Sequence, residues 1–205
     1  MFARIATFHG SPNRVREGSR VIDEITPEMQ QLEGFQRAYL LVDSKNGEAL
    51  AVTFWDKEDQ AKRGPAASIG ERVGRALGTR ERFSVETFEV GSEVGGGTAG
   101  GEFARVSEHH GSPAKVEDGI RQTKSTESDL KSMQGFQHAY LLVDRRSGKA
   151  ITITLWDSEM TLTRTSSGAN SLRESIMRSF GATEQPTVST FEVAGKIPQA
   201  ARKAA

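Results

Sequence analysis

The chain of 205 residues carries 27 Lys and Arg against 27 Asp and Glu, so its formal net charge is zero and gives no reason to expect binding to nucleic acid or to an anionic membrane. It has no cysteine, which excludes disulfides, thiolate metal sites and cysteine nucleophiles and suits a reducing compartment. No apolar run is long enough to span a bilayer, and the N-terminus alternates apolar and polar residues too soon for a secretion signal. We therefore expect a cytoplasmic protein.

The first ninety residues alternate between strand-like and helix-like segments. Phe2 to His9 alternates apolar and polar residues, as a strand does, and residues 15–32 place apolar side chains at helical spacing behind a cap at Ser11 and a first turn at Pro12. Pro27 is expected to bend that helix or to end its regular part. The remaining predicted elements are strands Phe35–Asp43 and Ala49–Trp55 around the turn Asn46-Gly47, a helix disturbed at Gly64-Pro65 that buries Ile69, Val73 and Leu77 before Gly78, and strand Phe83–Val90.

The second half of the chain repeats the first. Gly34-Phe35-Gln36 recurs 101 positions later as Gly135-Phe136-Gln137, and 25 of 57 positions are identical between residues 2–58 and 103–159. The last strand recurs at a distance of 103, which places a two-residue insertion near residues 163–168. We therefore predict a tandem duplication. The second half's elements are strand Phe103–His110, a helix from Pro113 to about Met133, strands Phe136–Asp144 and Ala150–Trp156, a helix containing Leu172 and Ile176, and a strand ending at Val193.

The repeat predicts two domains, residues 1–90 and 102–194. Residues 91–101 are rich in glycine and are predicted to be a flexible linker, and residues 195–205 a flexible tail. The element order β-α-β-β-α-β is that of the ferredoxin-like unit, whose two helices cover one face of a four-stranded sheet. The bare face of each sheet must be covered. We therefore expect an α+β protein in which the two domains pack sheet to sheet as a pseudo-dimeric α/β barrel, with a further homodimer left open.

Both halves contain a set of short strand motifs: Ala3-Arg4-Ile5, Gly34-Phe35-Gln36, Leu40–Asp43 and Val52–Asp56 in the first, and Gly135-Phe136-Gln137 and Thr154–Asp157 in the second. In these motifs each half resembles the antibiotic biosynthesis monooxygenase-like domain of the dimeric α/β barrel superfamily. The resemblance covers both halves almost end to end. It implies the fold more strongly than a chemistry, because that superfamily contains oxygenases, haem-degrading enzymes, isomerases and proteins without known activity.

The resemblance also provides a test for haem. In the haem-degrading branch, a tryptophan at the end of the third strand is followed about nine residues later by a histidine that binds iron, and the first strand supplies an asparagine. Trp55 and Trp156 match the tryptophan, but the histidine positions fall near Gly64-Pro65 and Thr165-Ser166, and neither first strand contains asparagine. Haem binding and degradation therefore rank below the other functions, and we expect no bound cofactor.

The tryptophans and two arginines are candidate pocket residues. Trp55 and Trp156 are expected either in the core or in a cavity wall, where an indole stacks on a planar substrate and its N–H supplies one donor. Arg4 and Arg105 lie among apolar neighbours within the first strands. Such a charge either reaches solvent at the end of its aliphatic stem, pairs with an acid across the sheets, or lines a cavity for an anionic ligand.

Among the four histidines, His110 and His138 are the candidate catalytic residues, and His9 and His109 are further candidate pocket residues. His9 and His110 occupy matching positions at the end of the first strands, and His109 and His138 occur only in the second half. We expect the end of the first strand and the start of the second to lie at the same end of the sheet, which brings His109, His110 and His138 together. They are then either solvated surface residues or, with His110 and His138 foremost, the general base for a phenol-like substrate. No carboxylate motif accompanies them, so no metal site is predicted.

Two functions from different classes remain open. The first is a cofactor-independent monooxygenase, in which a small planar aromatic or polyketide-like substrate is deprotonated and its carbanion reacts directly with oxygen. The second is a non-catalytic small-molecule-binding or stress-response protein that uses the same pocket. The halves differ in their first helices and beyond each tryptophan, which predicts two pockets of different specificity or one working and one decayed pocket.

Overall fold

A computed structural model describes residues 1–14, 17–79, 83–95 and 100–199 of the chain. These residues form an α+β structure, as predicted, and no helix among them is long and apolar enough to cross a membrane. The strands are β1 Phe2–His9, β2 Phe35–Asp43, β3 Glu48–Trp55, β4 Ser84–Val94, β5 Phe103–His110, β6 Phe136–Val143, β7 Lys149–Trp156 and β8 Thr187–Ile197. The helices are α1 Gly18–Gln30, α2 Glu58–Arg63, α3 Ala67–Leu77, α4 Val116–Ser125, α5 Glu127–Ser132, α6 Glu159–Arg164 and α7 Ser166–Phe180, with a 3₁₀ turn at Pro113–Lys115.

The strands follow the order β1-β3-β2-β8-β5-β7-β6-β4 in a closed barrel, which confirms the predicted fold class. The chain divides into two compact units, an N-terminal unit of residues 1–87 with those from 192 onward and a C-terminal unit of residues 88–191. Strands β4 and β8 each begin in one unit and end in the other, because the divisions fall within them.

In the N-terminal unit, β3 lies between β1 and β2 and is antiparallel to both. Phe2 and Phe35 both face Trp55 across the ladders, at one end of β3. On its other side, β2 pairs with the last residues of β8, from Glu192 to Ile197. The C-terminal unit repeats the pattern with β7 between β5 and β6, and the end of β4 pairs with β6. The shared register supports the predicted duplication, which itself stays a prediction.

Strands β4 and β8 run four residues beyond their predicted ends at Val90 and Val193. In β8, Ile197 pairs with Ala38 and is 2% exposed, so residues 195–197 are strand and not flexible tail. The predicted linker, residues 91–101, likewise begins inside β4; residues 96–99 and 200–205 lie outside the described ranges. The glycines here mark close packing. A Cβ added at Gly91 would lie 2.9 Å from Ile120, and one at Gly195 would lie 2.8 Å from Ile22.

The helices differ more from prediction than the strands. Helix α1 begins at Gly18 and not near Pro12, because backbone bonds from Gly10 to Gly47 and from Ser11 to Leu77 hold the preceding residues as a loop. Val15, predicted on the helix face, lies outside the described residues. The long helix predicted from Pro113 to Met133 is divided into the 3₁₀ turn, α4 and α5, and each second helix is divided in two.

Candidate functional site

The C-terminal unit contains a cavity of about 40 Å³ between its sheet and helices α4, α5 and α7. Strand positions supply most of the wall, and in β5 and β7 they are alternate positions, whose side chains point to one face of the sheet. Space of this size holds roughly two or three water molecules. The lining residues are Ser92, Val94, Arg105, Ser107, His109, Thr123, Leu130, Ala139, Tyr140, Leu141, Thr152, Thr154, Trp156, Ala169, Leu172, Arg173 and Ile176.

Arg105 places a buried cation in this cavity. It lies on β5, is 5% exposed, and its Nη2 donates to the backbone oxygen of Leu162 and to Ser166 Oγ, the latter at 2.9 Å. Its guanidinium carbon stands 5.7 Å from the centre of the Trp156 ring. Its other terminal nitrogen, Nη1, is buried and has no hydrogen-bond partner among the described residues. One donor of a fixed cation is therefore available to a ligand.

A second arginine lines the same cavity. Arg173 is half-buried on α7, and it donates to Asn170 Oδ1 at 2.9 Å. Burial and, secondarily, the charge of Arg173 lower the pKa of Arg105 to about 10. Arg105 is still charged at neutral pH, and the described lining residues include neither aspartate nor glutamate. The cavity therefore contains two positive charges that no lining carboxylate neutralises.

His109 lies on the same strand as Arg105 and is 4% exposed. Its ring meets the Phe180 ring edge-on at 5.0 Å between centroids, and neither ring nitrogen bonds to a described residue. Burial first, and then the neighbouring His110, lower the pKa of His109 to about 4. At neutral pH its imidazole is therefore uncharged, with one nitrogen able to accept a proton.

The two tryptophans occupy different surroundings. Trp156 lines the cavity, whereas Trp55 lies in the hydrophobic core of the N-terminal unit and outside the set of residues that lines the cavity there. Each indole N–H donates to a threonine two residues earlier, Thr53 at 2.8 Å and Thr154 at 3.0 Å. The prediction that the N–H is free for a substrate is therefore wrong, because the side chain on the same face of the strand binds it.

The N-terminal unit has its own cavity, also of about 40 Å³. Arg4, Tyr39 and Thr53 occupy the positions of Arg105, Tyr140 and Thr154. Burial lowers the pKa of Arg4, whose Nε has no partner among the described residues. The rest of the wall is apolar or glycine apart from the backbone: Ala6, Phe8, Ile22, Ile25, Met29, Ala38, Ala51, Pro65, Ile69, Gly70, Val73, Phe83 and Ile197.

The structure does not bring the predicted histidines together. Strands β5 and β6 are both antiparallel to β7 and hence parallel to each other, so the end of β5 and the start of β6 lie at different ends of the sheet. His109 faces Ala150 and His138 faces Leu155, five residues along β7, which is roughly 17 Å. The expected meeting of His109, His110 and His138 is therefore wrong.

The remaining histidines lie away from the cavity wall. His9 and His110 are exposed at the strand ends. His138 is 1% exposed, with Nε2 2.9 Å from Glu93 Oε1 and its ring 4.6 Å from that of Tyr140. Within the described residues, no group of three or more His, Cys, Asp or Glu could hold a metal ion. Of the four histidines, only His109 shares the cavity with Arg105.

Sequence reasoning missed several lining residues, chiefly Ser92, Ser107, Thr123, Tyr140, Thr152 and Arg173. A comparison of matched positions in the two halves could have found most of them. At matched positions Ser107 replaces Ala6, and Thr152 replaces Ala51. Side chains that are apolar on a buried strand face of one half are polar at the matched positions of the other, where their burial costs free energy unless they find partners.

Two curated sequences are similar to this chain along most of its length. The chain is 27% identical over 189 residues to the uncharacterised protein Rv2557 of Mycobacterium tuberculosis, covering 90% of this chain and 84% of that protein. It is 26% identical over 203 residues to Rv2558 of the same organism, covering 95% and 84%. No family model matches the chain.

Solved structures with the same fold include oxygenase-like proteins. A candidate monooxygenase from Lactobacillus acidophilus superposes with a TM-score of 0.70 at 10% identity, over 97% of this chain and 96% of that one. An anthrone oxidase-like protein gives 0.65 at 14% identity, over 100% and 95%. The haem-degrading enzyme of Listeria monocytogenes gives 0.55 at 12% identity, over 94% and 99%. The chain thus has the antibiotic biosynthesis monooxygenase fold that the sequence motifs predicted.

Proposed function

We propose that the C-terminal unit binds an acidic aromatic compound, a phenol or an enol, and that it oxidises this compound with dioxygen without a bound cofactor. The observation that carries the proposal is the shared cavity of Arg105 and His109, a buried cation and an uncharged imidazole beside the Trp156 ring. An oxygenase of this kind needs a base, a donor for the developing oxyanion and an apolar ring wall. These three groups supply them.

In this proposal His109 removes the proton and Arg105 stabilises the resulting oxyanion. A base with a pKa of about 4 is weak, but an anion formed beside the imidazolium raises that pKa and favours the transfer. Arg105 Nη1 is the donor that faces the new negative charge, since Nη2 is already bonded to Leu162 and Ser166. In this proposal the general base is therefore His109, and not His110 or His138 as predicted from the sequence.

The oxidation balances without another reductant. The keto tautomer of such a phenol or enol has a CH₂ group next to a conjugated carbonyl. Its deprotonation gives a carbanion, which transfers one electron to dioxygen, and the two radicals combine to a peroxide anion. The imidazolium returns its proton to the peroxide. Loss of water then leaves a new C=O bond, so that substrate and O₂ give the ketone or quinone and one H₂O.

An aromatic substrate requires the cavity to widen. A cavity of about 150 Å³ holds benzene, and the space here is about 40 Å³. Leu172 and Arg173 are both half-buried on α7, so rotation of these two side chains is the least costly way to enlarge it. The small volume also favours a second candidate function, in which the protein binds a small molecule without converting it.

Oxygen uptake tests the proposal. Anthrone and a panel of polycyclic phenols are supplied to the purified protein in an oxygen electrode, and an absorption spectrum checks for bound haem or flavin. We expect uptake by the wild-type protein and its loss by at least about a hundredfold in His109→Phe, because general bases contribute at least that much. His9→Ala is the matched control, since His9 is exposed. Ligand binding without any oxygen uptake would establish the non-catalytic function instead.

The predicted location and organisation belong to this proposal as well. A chain without cysteine suits the cytoplasm, and two domains that arose by duplication explain the shared register of the two units. Only the C-terminal domain is assigned a catalytic role here.

A further inference from the structure

The two cavities differ in polarity in a systematic way. Six positions that line the C-terminal cavity carry polar side chains, and each matched position in the N-terminal unit carries an apolar residue or glycine. Chance substitution after a duplication would scatter polar residues over both units. The six pairs are Ser92 with Gly195, Ser107 with Ala6, His109 with Phe8, Thr123 with Ile22, Thr152 with Ala51, and Arg173 with Gly70.

The polar residues in the C-terminal cavity are mostly buried. Four of them are buried: Ser92, Ser107, His109 and Thr123. Thr123 Oγ1 donates to the backbone oxygen of Gly119 at 2.9 Å, which leaves its lone pairs free to accept. Burying polar groups costs free energy unless they find partners, so a wall of this composition favours a polar occupant.

The charges specify the occupant further. Arg105 and Arg173 both line the cavity, Arg105 has an unpaired Nη1, and none of the described lining residues is acidic. Like charges repel, and the buried charge of Arg105 is screened little by solvent, so an anion between the two arginines lowers the free energy of the folded chain. His109 is uncharged at neutral pH and adds no third cation. Donors on two arginines match the planar geometry of a carboxylate, and a carboxylate is smaller than a phosphate.

We propose that the ligand of the C-terminal cavity carries a carboxylate, which lies between Arg105 Nη1 and the Arg173 guanidinium, and that the N-terminal cavity does not accept such a ligand. If the proposed oxidation takes place, its preferred substrate is then a phenol or enol that carries a carboxylate. This statement about the substrate rests on the proposed function. Carboxylate binding itself does not depend on whether oxidation follows.

The test compares carboxylates with uncharged amides of the same shape. Benzoate with benzamide, and acetate with acetamide as a pair small enough for the unwidened cavity, are titrated by calorimetry into the whole chain. Arg173→Gln removes one charge and keeps the side-chain length. Arg178→Gln is the control, because Arg178 is exposed on the same helix. A thermal unfolding scan confirms that each variant is folded.

We expect the carboxylates to bind more tightly than the amides, and Arg173→Gln to weaken carboxylate binding by about tenfold or more while amide binding and Arg178→Gln stay unchanged. Equal affinities for acid and amide, or no binding of either carboxylate at millimolar concentration, would overturn the inference. Oxygen uptake with uncharged phenols alone would overturn it and leave the proposed function standing. Carboxylate binding that depends on Arg173, in a protein that takes up no oxygen, would support the inference and refute the proposed oxidation.

Discussion

Replacing His109 with phenylalanine should make the protein less sensitive to acid. The folded chain holds the pKa of His109 near 4, against an ordinary value of 6.5 in the unfolded chain. Between these values the unfolded state binds more protons, so the stability contributed by the neutral imidazole is complete above about pH 6.5 and is lost as the pH falls toward 4. Phenylalanine is the residue at the matched position, Phe8, and it cannot titrate.

The size of the effect follows from the two pKa values. A change from 6.5 to about 4 corresponds to about 3 kcal/mol in all, and about 2 kcal/mol of this is lost between pH 7.5 and pH 5. Because His109 is 4% exposed, solvent screening reduces this figure little. Wild-type protein should thus lose about 2 kcal/mol more stability over this interval than His109→Phe does.

Urea denaturation at the two pH values measures the difference, with His9→Ala as the control that should follow the wild type. Nuclear magnetic resonance of labelled histidine offers a direct reading, since the chain has four histidines and His109→Phe assigns one signal. A wild type and a His109→Phe variant that lose equal stability between pH 7.5 and pH 5 would refute the reasoning. So would a His109 signal that titrates near pH 6.5, since it would place the imidazole in contact with bulk water.

Three further outcomes follow from the packing and the ligand set. Ile197→Ala should lower the free energy of unfolding, measured by urea denaturation, by about 2–4 kcal/mol, because Ile197 is 2% exposed. The control Val188→Ala, on the same strand but 41% exposed, should change it by less than about 0.5 kcal/mol. Equally small losses in both variants would show that residues 195–197 form a flexible tail, as the sequence predicted. Benzoate should change tryptophan fluorescence in Trp55→Phe but not in Trp156→Phe, and the reverse result would place the ligand near Trp55 and not in the C-terminal cavity. Added hemin should give no sharp Soret band of histidine-ligated iron, and a stoichiometric complex with such a band would contradict the donor set described above.

The strands could be predicted from sequence more closely than the helices. The pattern of apolar residues that marks a buried strand is contained in the strand's own sequence. Strands β1, β2 and β5 accordingly have the predicted bounds. The start of α1 depends on backbone bonds to Gly47 and Leu77, which lie far along the chain. Local signals such as Ser11 and Pro12 cannot show that these bonds outweigh a helical first turn.

The candidate site was harder to predict because it depends on strand direction and on a helix face. His138 was grouped with His109 on the assumption that two strand ends coincide, whereas a third strand between them places the residues at opposite ends. Arg173 lies on a helix among other charged residues, and nothing local separates it from a solvated arginine such as Arg178. Arg105 and Trp156 could be found because a charge or a large indole within a buried strand is already unusual.

The matched positions of the two units supply a comparison that a single domain lacks. The N-terminal unit retains Arg4, Tyr39 and Thr53, so these residues alone do not distinguish a ligand site from a structural framework. What differs is the set of partners around them. Where the N-terminal unit has Phe8, the C-terminal unit has His109, which destabilises the fold in acid without any compensating bond within the described protein. A residue with that cost is best explained by what it does to a ligand, and the stability measurements on His109→Phe and the oxygen-uptake measurements on the same variant examine the cost and the benefit separately.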